Sequence, residues 1–307
     1  MIARTAKRCR RRLPAFGLLA LVACASAPPR HQLSPLSPEQ QQLCVLVEKA
    51  YRSEAPDYPA LRERAAKDAL VSAWLTRMFV RDIFTAREQR PVGRDEALLR
   101  AVGRIADPVE ARAIAELKQL GALAVPTLVG DLLEHDQPQP RELGVELLGY
   151  VGPPALPALV GVAERGSPRQ QRAAARALGA IGVDERSLPV LRRLANDADF
   201  AVRADALRAL RSGGPPARDL LLDRLRHDPD PFVSRVAALS LGAFPDRLVG
   251  EALITYLERC KGNIDSRGVE AAQQALQQVT GTTQVRSAEA WRGAVAVLPA
   301  GVAATGR

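Results

Sequence analysis

The chain of 307 residues is 47% hydrophobic and 25% charged, which is too polar for a multi-span membrane protein and allows one large or two modest domains. Only 4% of residues are aromatic, so a core has to come from Ala, Leu, Val and Ile packed at close range. The formal charge of +9 is local: six of the 43 bases, Arg4, Lys7, Arg8, Arg10, Arg11 and Arg12, precede an apolar run, and the remaining 37 face 34 acids, too small an excess to argue for a polyanion partner.

The chain opens on the plan of a signal peptide, a basic region up to Arg12 and then an apolar stretch at 13–23 that ends in small residues. As a helix that run covers about 16 Å, about half of a hydrocarbon core of roughly 30 Å, so it reads as a cleaved leader and not a span. Its terminal tetrad, Leu21, Val22, Ala23 and Cys24, resembles the lipobox of bacterial lipoproteins. That resemblance implies cleavage before Cys24 and acylation of its thiol and new amino group, with multiple acyl chains giving a stable anchor. The competing reading is an ordinary secretory leader cut near Ala25 or Ala27, with Cys24 lost. Ala25 stands where an Asp is the usual inner-membrane retention cue in such lipoproteins, which favours the periplasmic face of the outer membrane over the inner membrane.

Residues 24–37 are rich in Pro and Ser and read as a tether. Cys9 leaves with the leader, so Cys44 and Cys260 are the remaining thiols. They lie at opposite ends of the array argued below, too far apart for the 7 Å or so that a disulfide allows between Cα atoms, and are read as apolar groups in helix interfaces. Residues 38–106 read as an N-terminal helical cap. Ser37, Pro38 and Gln40 supply a capping box ahead of an apolar-periodic helix, and Leu70, Val71, Trp74, Leu75, Met78, Phe79, Ile83 and Phe84 form a seam at three-to-four-residue spacing. Tyr51, Tyr58, Trp74, Phe79 and Phe84 make this segment the most aromatic part of the chain, a pattern better suited to core than to a ligand pocket.

From 107 to 280 the sequence repeats itself. Leu117, Leu148, Leu178, Leu210, Leu241 and Leu276 form one column; Ala113, Gly144, Ala174, Ala206, Ala237 and Ala272 stand four places earlier. Leu120, Val151, Ile181, Phe244 and Val279 stand three places later, with Gly213 breaking that column. The columns keep a helical period and make one narrow apolar stripe per segment. A second helix completes each cycle, three of them with a Pro near the start (Pro126, Pro157, Pro189), and Pro, Gly, Asp and Asn mark the turns, with Gly152, Gly182 and Gly213 between cycles.

A unit of about 31 residues with two helices resembles a short HEAT-type repeat. The stretches 197–203 ("DADFAVR") and 228–237 ("DPDPFVSRVA") carry that resemblance, which is closest to the HEAT-like repeats of bilin lyases and of bacterial envelope proteins without known activity. Ankyrin and tetratricopeptide signatures are missing from the sequence. The resemblance implies an all-α fold, an α-α superhelix of the ARM/HEAT solenoid type, whose second helices line the concave side. It does not imply an enzyme. Thr280 and Gly281 end the last repeat, Ser287 opens a cap helix within 281–298 with Trp291 as a lid, and 299–307 reads as a disordered tail.

Chemistry-bearing patterns are sparse. His31, His135 and His227 show no metal-ligand spacing, there is no phosphate-binding Gly loop or nucleophile elbow, and neither Cys44 nor Cys260 has a motif-placed His, so no catalytic residue, cofactor or metal is assigned. Asp197, Asp199, Asp228 and Asp230 fall in turns and read as helix caps. Arg141, Arg172, Arg203, Arg235 and Arg267 recur at intervals of 31 or 32. By helical phase Arg172 and Arg235 point to solvent on the concave side and, with Arg176, are the candidate partner-binding residues, while Arg141 and Arg203 turn toward a neighbouring repeat as an inter-repeat ladder. The reading that absorbs most of these features is an envelope scaffold, lipid-anchored at Cys24, that binds another protein. A bilin-lyase-like enzyme is the alternative, set back by the export leader, and nucleic-acid binding is set back by the charge balance.

Overall fold

The computed structural model describes residues 35–88, 107–283 and 288–300, and every described element lies in the unit Leu36–Arg307. The leader, Cys24, almost all of the tether, residues 89–106 of the expected cap, Ser287 and residues 301–307 of the expected tail lie outside the described residues. Among the described residues there is no strand.

Three helices precede the repeats: α1 (Pro38–Arg52), α2 (Tyr58–Ala66) and α3 (Ala69–Glu88). The capping box closes at the N-terminus of α1, where Ser37 Oγ accepts the Gln40 N–H and the Gln40 side chain accepts the Ser37 N–H. Tyr51 packs edge-on to Phe79 at 5.3 Å and tilted on Tyr58 at 5.4 Å, so the aromatic cluster is core. Val71, Leu75, Met78, Phe79 and Ile83 are buried, while Trp74 and Phe84 lie partly exposed against the same core.

The repeats alternate between helices rich in small residues and helices rich in Leu. The first kind comprises α4 (Pro108–Leu120), α6 (Pro138–Val151), α8 (Pro168–Ile181), α10 (Phe200–Ala209), α12 (Pro231–Leu241) and α14 (Ser266–Thr280). Between them run α5 (Val125–Leu128), α7 (Leu156–Arg165), α9 (Ser187–Leu194), α11 (Gly214–His227) and α13 (Arg247–Gly262). Helix α5 is a single turn that widens into a π-helical stretch at Val129–Leu133, a local under-winding that helical periodicity alone does not announce. Helix α15 (Ala288–Ala296) lies against α13 and α14 at the end of the array.

The leucine column is the core. Leu117, Leu148, Leu178, Leu210, Leu241 and Leu276 are all 0% exposed, and the Ala residues that precede them by four are equally buried. Within one layer α3, α4, α6, α8, α10, α12 and α14 pack in sequence, and the small-residue helices from α6 onward approach one another more closely than do α7, α9, α11 and α13. The approach depends on what is missing: a Cβ on Gly179 in α8 would lie 2.7 Å from Ala209 Cα in α10. Breakers end the helices as expected at Gly152 and Gly182, both with positive φ, but α10 tightens into a 3-10 turn at Leu210–Ser212 and the left-handed residue is Gly214 instead of Gly213.

At the far end, Trp291 is 1% exposed on α15 and Val295 packs over Gly250. The chain then returns: Pro299 C=O accepts the Arg247 N–H at 2.9 Å, so the expected tail begins with a residue that is tied down.

A methyl group at Gly179 has backbone to displace. Gly179→Ala is expected to lower stability by about 1–3 kcal/mol, read as a fall in melting temperature, whereas Gly130→Ala, where nothing lies within 4 Å of the added atom, is expected to raise it slightly, by about 0.5–1 kcal/mol.

Candidate partner-binding face

Side chains from successive turns and helix faces are linked across unit boundaries by arginine. The turn aspartates come in pairs with divided work. Asp199 caps α10 by accepting the Ala201 and Val202 N–H groups, and Asp230 caps α12 through the Phe232 N–H. Asp197 and Asp228 sit two residues earlier and accept the N–H groups of Asp199 and Asp230, fixing each turn.

Arg203 is the most committed member of the arginine series. Its Nε and Nη2 donate to the two Asp228 oxygens, both at 3.0 Å, and its Nη1 donates to the Asp197 and Ala198 carbonyls. The Arg203 side chain is 9% exposed and that of Asp228 0%. Arg141 has the same relation to its own turn, donating to the His135 and Asp136 carbonyls, but no bond to the following unit is described for it. The reason is a sequence difference: the residue 25 places on is Gly166, where Arg203 finds Asp228. The expectation that both bridge to a neighbour is therefore corrected for Arg141.

Arg172 and Arg235, placed on the solvent side by helical phase, and the third candidate Arg176 are only partly exposed because each is paired across a unit boundary. Arg172 Nε donates to Asp205 at 2.8 Å, Arg176 Nη1 reaches both oxygens of Glu142 at 2.6 and 2.7 Å, and Arg235 lies 3.7 Å from Asp265. Signs consequently alternate along the layer, from Glu142 and Glu146 on α6 to Arg172 and Arg176 on α8 and Asp205 on α10. Arg87 of α3 joins this series by bonding both Glu110 of α4 and Glu146 of α6. Arg267 is exposed.

A family model for HEAT repeats matches residues 125–211 and 191–277, from the start of α5 to within α14. The array is a HEAT-type helical repeat. No curated protein matches the chain.

On the other layer of the HEAT array a second arginine series, missed by the sequence reading, closes helix ends. Arg193 of α9 donates to the Ala163 carbonyl of α7, and Arg259 of α13 donates to the Leu225 and Arg226 carbonyls of α11. The last carbonyls of a helix have no intrahelical donor, and a cation there also meets the negative end of the helix dipole. The signal was present as Arg in the final turns of the Leu-rich helices, without a fixed interval to reveal it. Arg218, 4% exposed, likewise ties α11 to the Asp246 cap of α13 at 3.1 Å.

Exposed apolar groups gather at the edge where the small-residue helices begin. Phe200 and Phe232 are 49% and 36% exposed and meet edge-to-face at 6.1 Å. The Arg208 and Arg235 guanidiniums lie 5.5 and 5.9 Å from the Phe232 ring centre. Ile264, a further 32 residues on, is 91% exposed and has φ of 56°, a left-handed conformation unfavourable for a β-branched residue. A groove lined by Phe200, Arg203, Pro229 and Pro231 runs between the two turns. Among the described residues no group of three or more His, Cys, Asp or Glu could hold a metal ion. No single described helix is long and apolar enough to cross a membrane, and α6 with α7 meets the test only as a pair bent by 119°.

Cys44 and Cys260 are free and buried. Burial, followed by the charge of Asp68, pushes the Cys44 thiol up to about 11, and burial also raises that of Cys260. A raised thiol pKa means that the folded state holds the proton more tightly; its contribution to stability is complete below the unfolded pKa and is lost as pH climbs through the folded one.

Two outcomes follow. Replacing Arg203 by Ala leaves the buried Asp228 carboxylate with only the Asp230 N–H and the Arg224 guanidinium at 3.8 Å, and is expected to cost about 3 kcal/mol, seen as a lowered denaturation midpoint. At pH 8 neither Cys44 nor Cys260 is expected to react with iodoacetamide in the folded protein, while both alkylate in denaturant.

Proposed function

We propose that the chain is exported, cleaved before Cys24 and held by acylation of that residue at the periplasmic face of the outer membrane, from which its HEAT array binds another envelope protein. The leader composition and the tetrad ending at Cys24 support the anchor. The observation that carries the binding reading is the exposed Phe200–Phe232 pair with two guanidiniums over one ring. Aromatic and Arg side chains are the residue types enriched where a few contacts supply most of the energy of a protein interface. Two phenylalanines half in water serve no core, and both open a helix next to a groove.

The layer that carries this edge suits a concave surface. The sequence order makes the Leu-rich helices second in each cycle; counted instead from Val125, where the first family match opens, the small-residue helices come second, and the concave side passes to them because they stand closer together than the Leu-rich helices, as the inner layer of a curved stack must. Arg172, Arg176 and Arg235 lie on the same layer. An array of six units with helices about 10 Å apart offers roughly 50–60 Å of surface, more than a small ligand uses and suited to a protein.

In-cell photo-cross-linking from a probe at Arg169 or Phe200, with mass spectrometric identification of the adduct, tests the reading. One protein is expected to recur from the otherwise unaltered chain with either probe, and to be lost from the Arg169 probe in Phe200→Ser/Phe232→Ser and from the Phe200 probe in Phe232→Ser, at equal expression and melting temperature. Adducts that do not change in the double variant, or no protein adduct from either position, overturn it.

A further inference from the structure

Resting on that reading, the charges of the small-residue layer say what the partner brings. Helix α8 contains three arginines and no acid. Arg169, Arg172 and Arg176 stand at i, i+3 and i+7, which at 100° per residue places them within an arc of about 60° on one face. Helix α12 contains Arg235 and no acid, and on α10 the single acid, Asp205, is 2% exposed between Arg172 and Arg208. The acids that balance the chain lie elsewhere, many of them spent as caps in the turns.

The arginines are held but not used up. Arg169 is exposed, and the Arg172 and Arg208 side chains are 41% and 48% exposed. Arg172 bonds Asp205 through Nε, which leaves its terminal nitrogens for a second acceptor. Arg176 has a buried Nε without a hydrogen-bond partner. Crowding is part of the picture: Arg141 is held below the usual arginine range by burial and then by the charge of Arg169, with Arg176 and Arg172 adding to it and Glu142 opposing.

We propose that the face running from α8 to α12 docks a carboxylate-rich segment of the partner protein, its acids on Arg169, Arg172 and Arg208 and an apolar residue against Phe200 and Phe232. Two of these guanidinium forks, Arg172 and Arg208, are held by their pairs with Asp205 while the exposed Arg169 extends the same face, an arrangement suited to carboxylates at set spacing on a polypeptide. An anionic bilayer presents its charge without such spacing and has no need of a paired aromatic edge. The acids compensate like charges that the free protein holds together at a cost.

The test uses the chain from residue 24 onward with Cys24→Ser, which contains every described element and no acyl group. A fluorescent 20-residue peptide of Glu and Leu, its Gln-for-Glu counterpart and phosphatidylglycerol vesicles are the probes. The Glu peptide is expected to bind with an affinity that falls as salt rises, and the Gln peptide about tenfold more weakly. Arg169→Glu weakens the Glu peptide by a similar factor, while Arg192→Glu on α9, the same charge change on the other layer, alters it less than about twofold; melting temperatures confirm that both variants fold. Equal binding of the two peptides, equal loss in the two variants, or displacement of the peptide by the vesicles at matched charge overturns the proposal. A partner cross-linked at Phe200 through a neutral segment removes the acidic assignment and leaves the scaffold reading in place, whereas the lack of any protein adduct removes the scaffold reading itself.

Discussion

The distance between neighbouring small-residue helices conditions everything else in the array. No unit can cover its own apolar stripe, because that stripe is a column of Leu with Ala or Gly beside it and only a second unit brings the opposing surface. The Ala and Gly positions set how near the next helix comes. At Gly179 the neighbouring backbone occupies the volume of a side chain, and at Gly144 a Cβ would meet Leu132 Cβ at 2.9 Å. Dispersion gains rise steeply at such separations, which is how a chain with 4% aromatic residues still builds a continuous core.

Close backbone approach leaves polar groups to be satisfied at the edges, and arginine is the residue that reaches them. A planar fork with five donors can serve a carboxylate and a carbonyl together, as Arg203 does with Asp228 and the 197–198 carbonyls. Lysine has neither the planarity nor the donor count. Buried pairs of this kind add little net stability over apolar packing, but they punish misregistration because a shifted turn leaves a charge without its partner. Where the acid is replaced by Gly166, the matching Arg141 keeps only its own turn.

The fold was legible because periodicity, small-residue columns and breakers all point to the same unit. The six leucines named from spacing are fully buried, and the capping aspartates stand where turn chemistry puts them. What spacing could not supply was the partner of each arginine. Phase arithmetic assigns a direction on one helix, but Arg172 and Arg235 end beside Asp205 and Asp265 of the following unit, and where those lie is set by stacking. The exposed Phe200 and Phe232 were hidden for a related reason. They sit in the first turn of their helices, outside the apolar stripe, and an aromatic residue read in sequence is taken for core unless its phase is traced. The π-helical stretch at Val129–Leu133 answers to contacts with α6 and has no local signature.

Charge is also divided by secondary structure in a way that composition conceals. Aspartate is concentrated at helix starts, where it satisfies orphan N–H groups and meets the positive end of the helix dipole. A carboxylate used as a cap is turned toward its own backbone and screened by it. Arginine, a good helix former, stands on the helix faces instead. Past the leader the chain is nearly neutral, yet α8 and α12 show arginine without acid. A chain-wide tally therefore understates the field at the surface of the small-residue layer. From α8 to α12 a ligand meets the guanidiniums of Arg169, Arg172 and Arg208, with the one acid of α10 buried beneath them and the exposed Glu142 of α6 outside that stretch, and the pairing of Arg172 and Arg208 with Asp205 that links two units also holds those two guanidiniums at fixed positions.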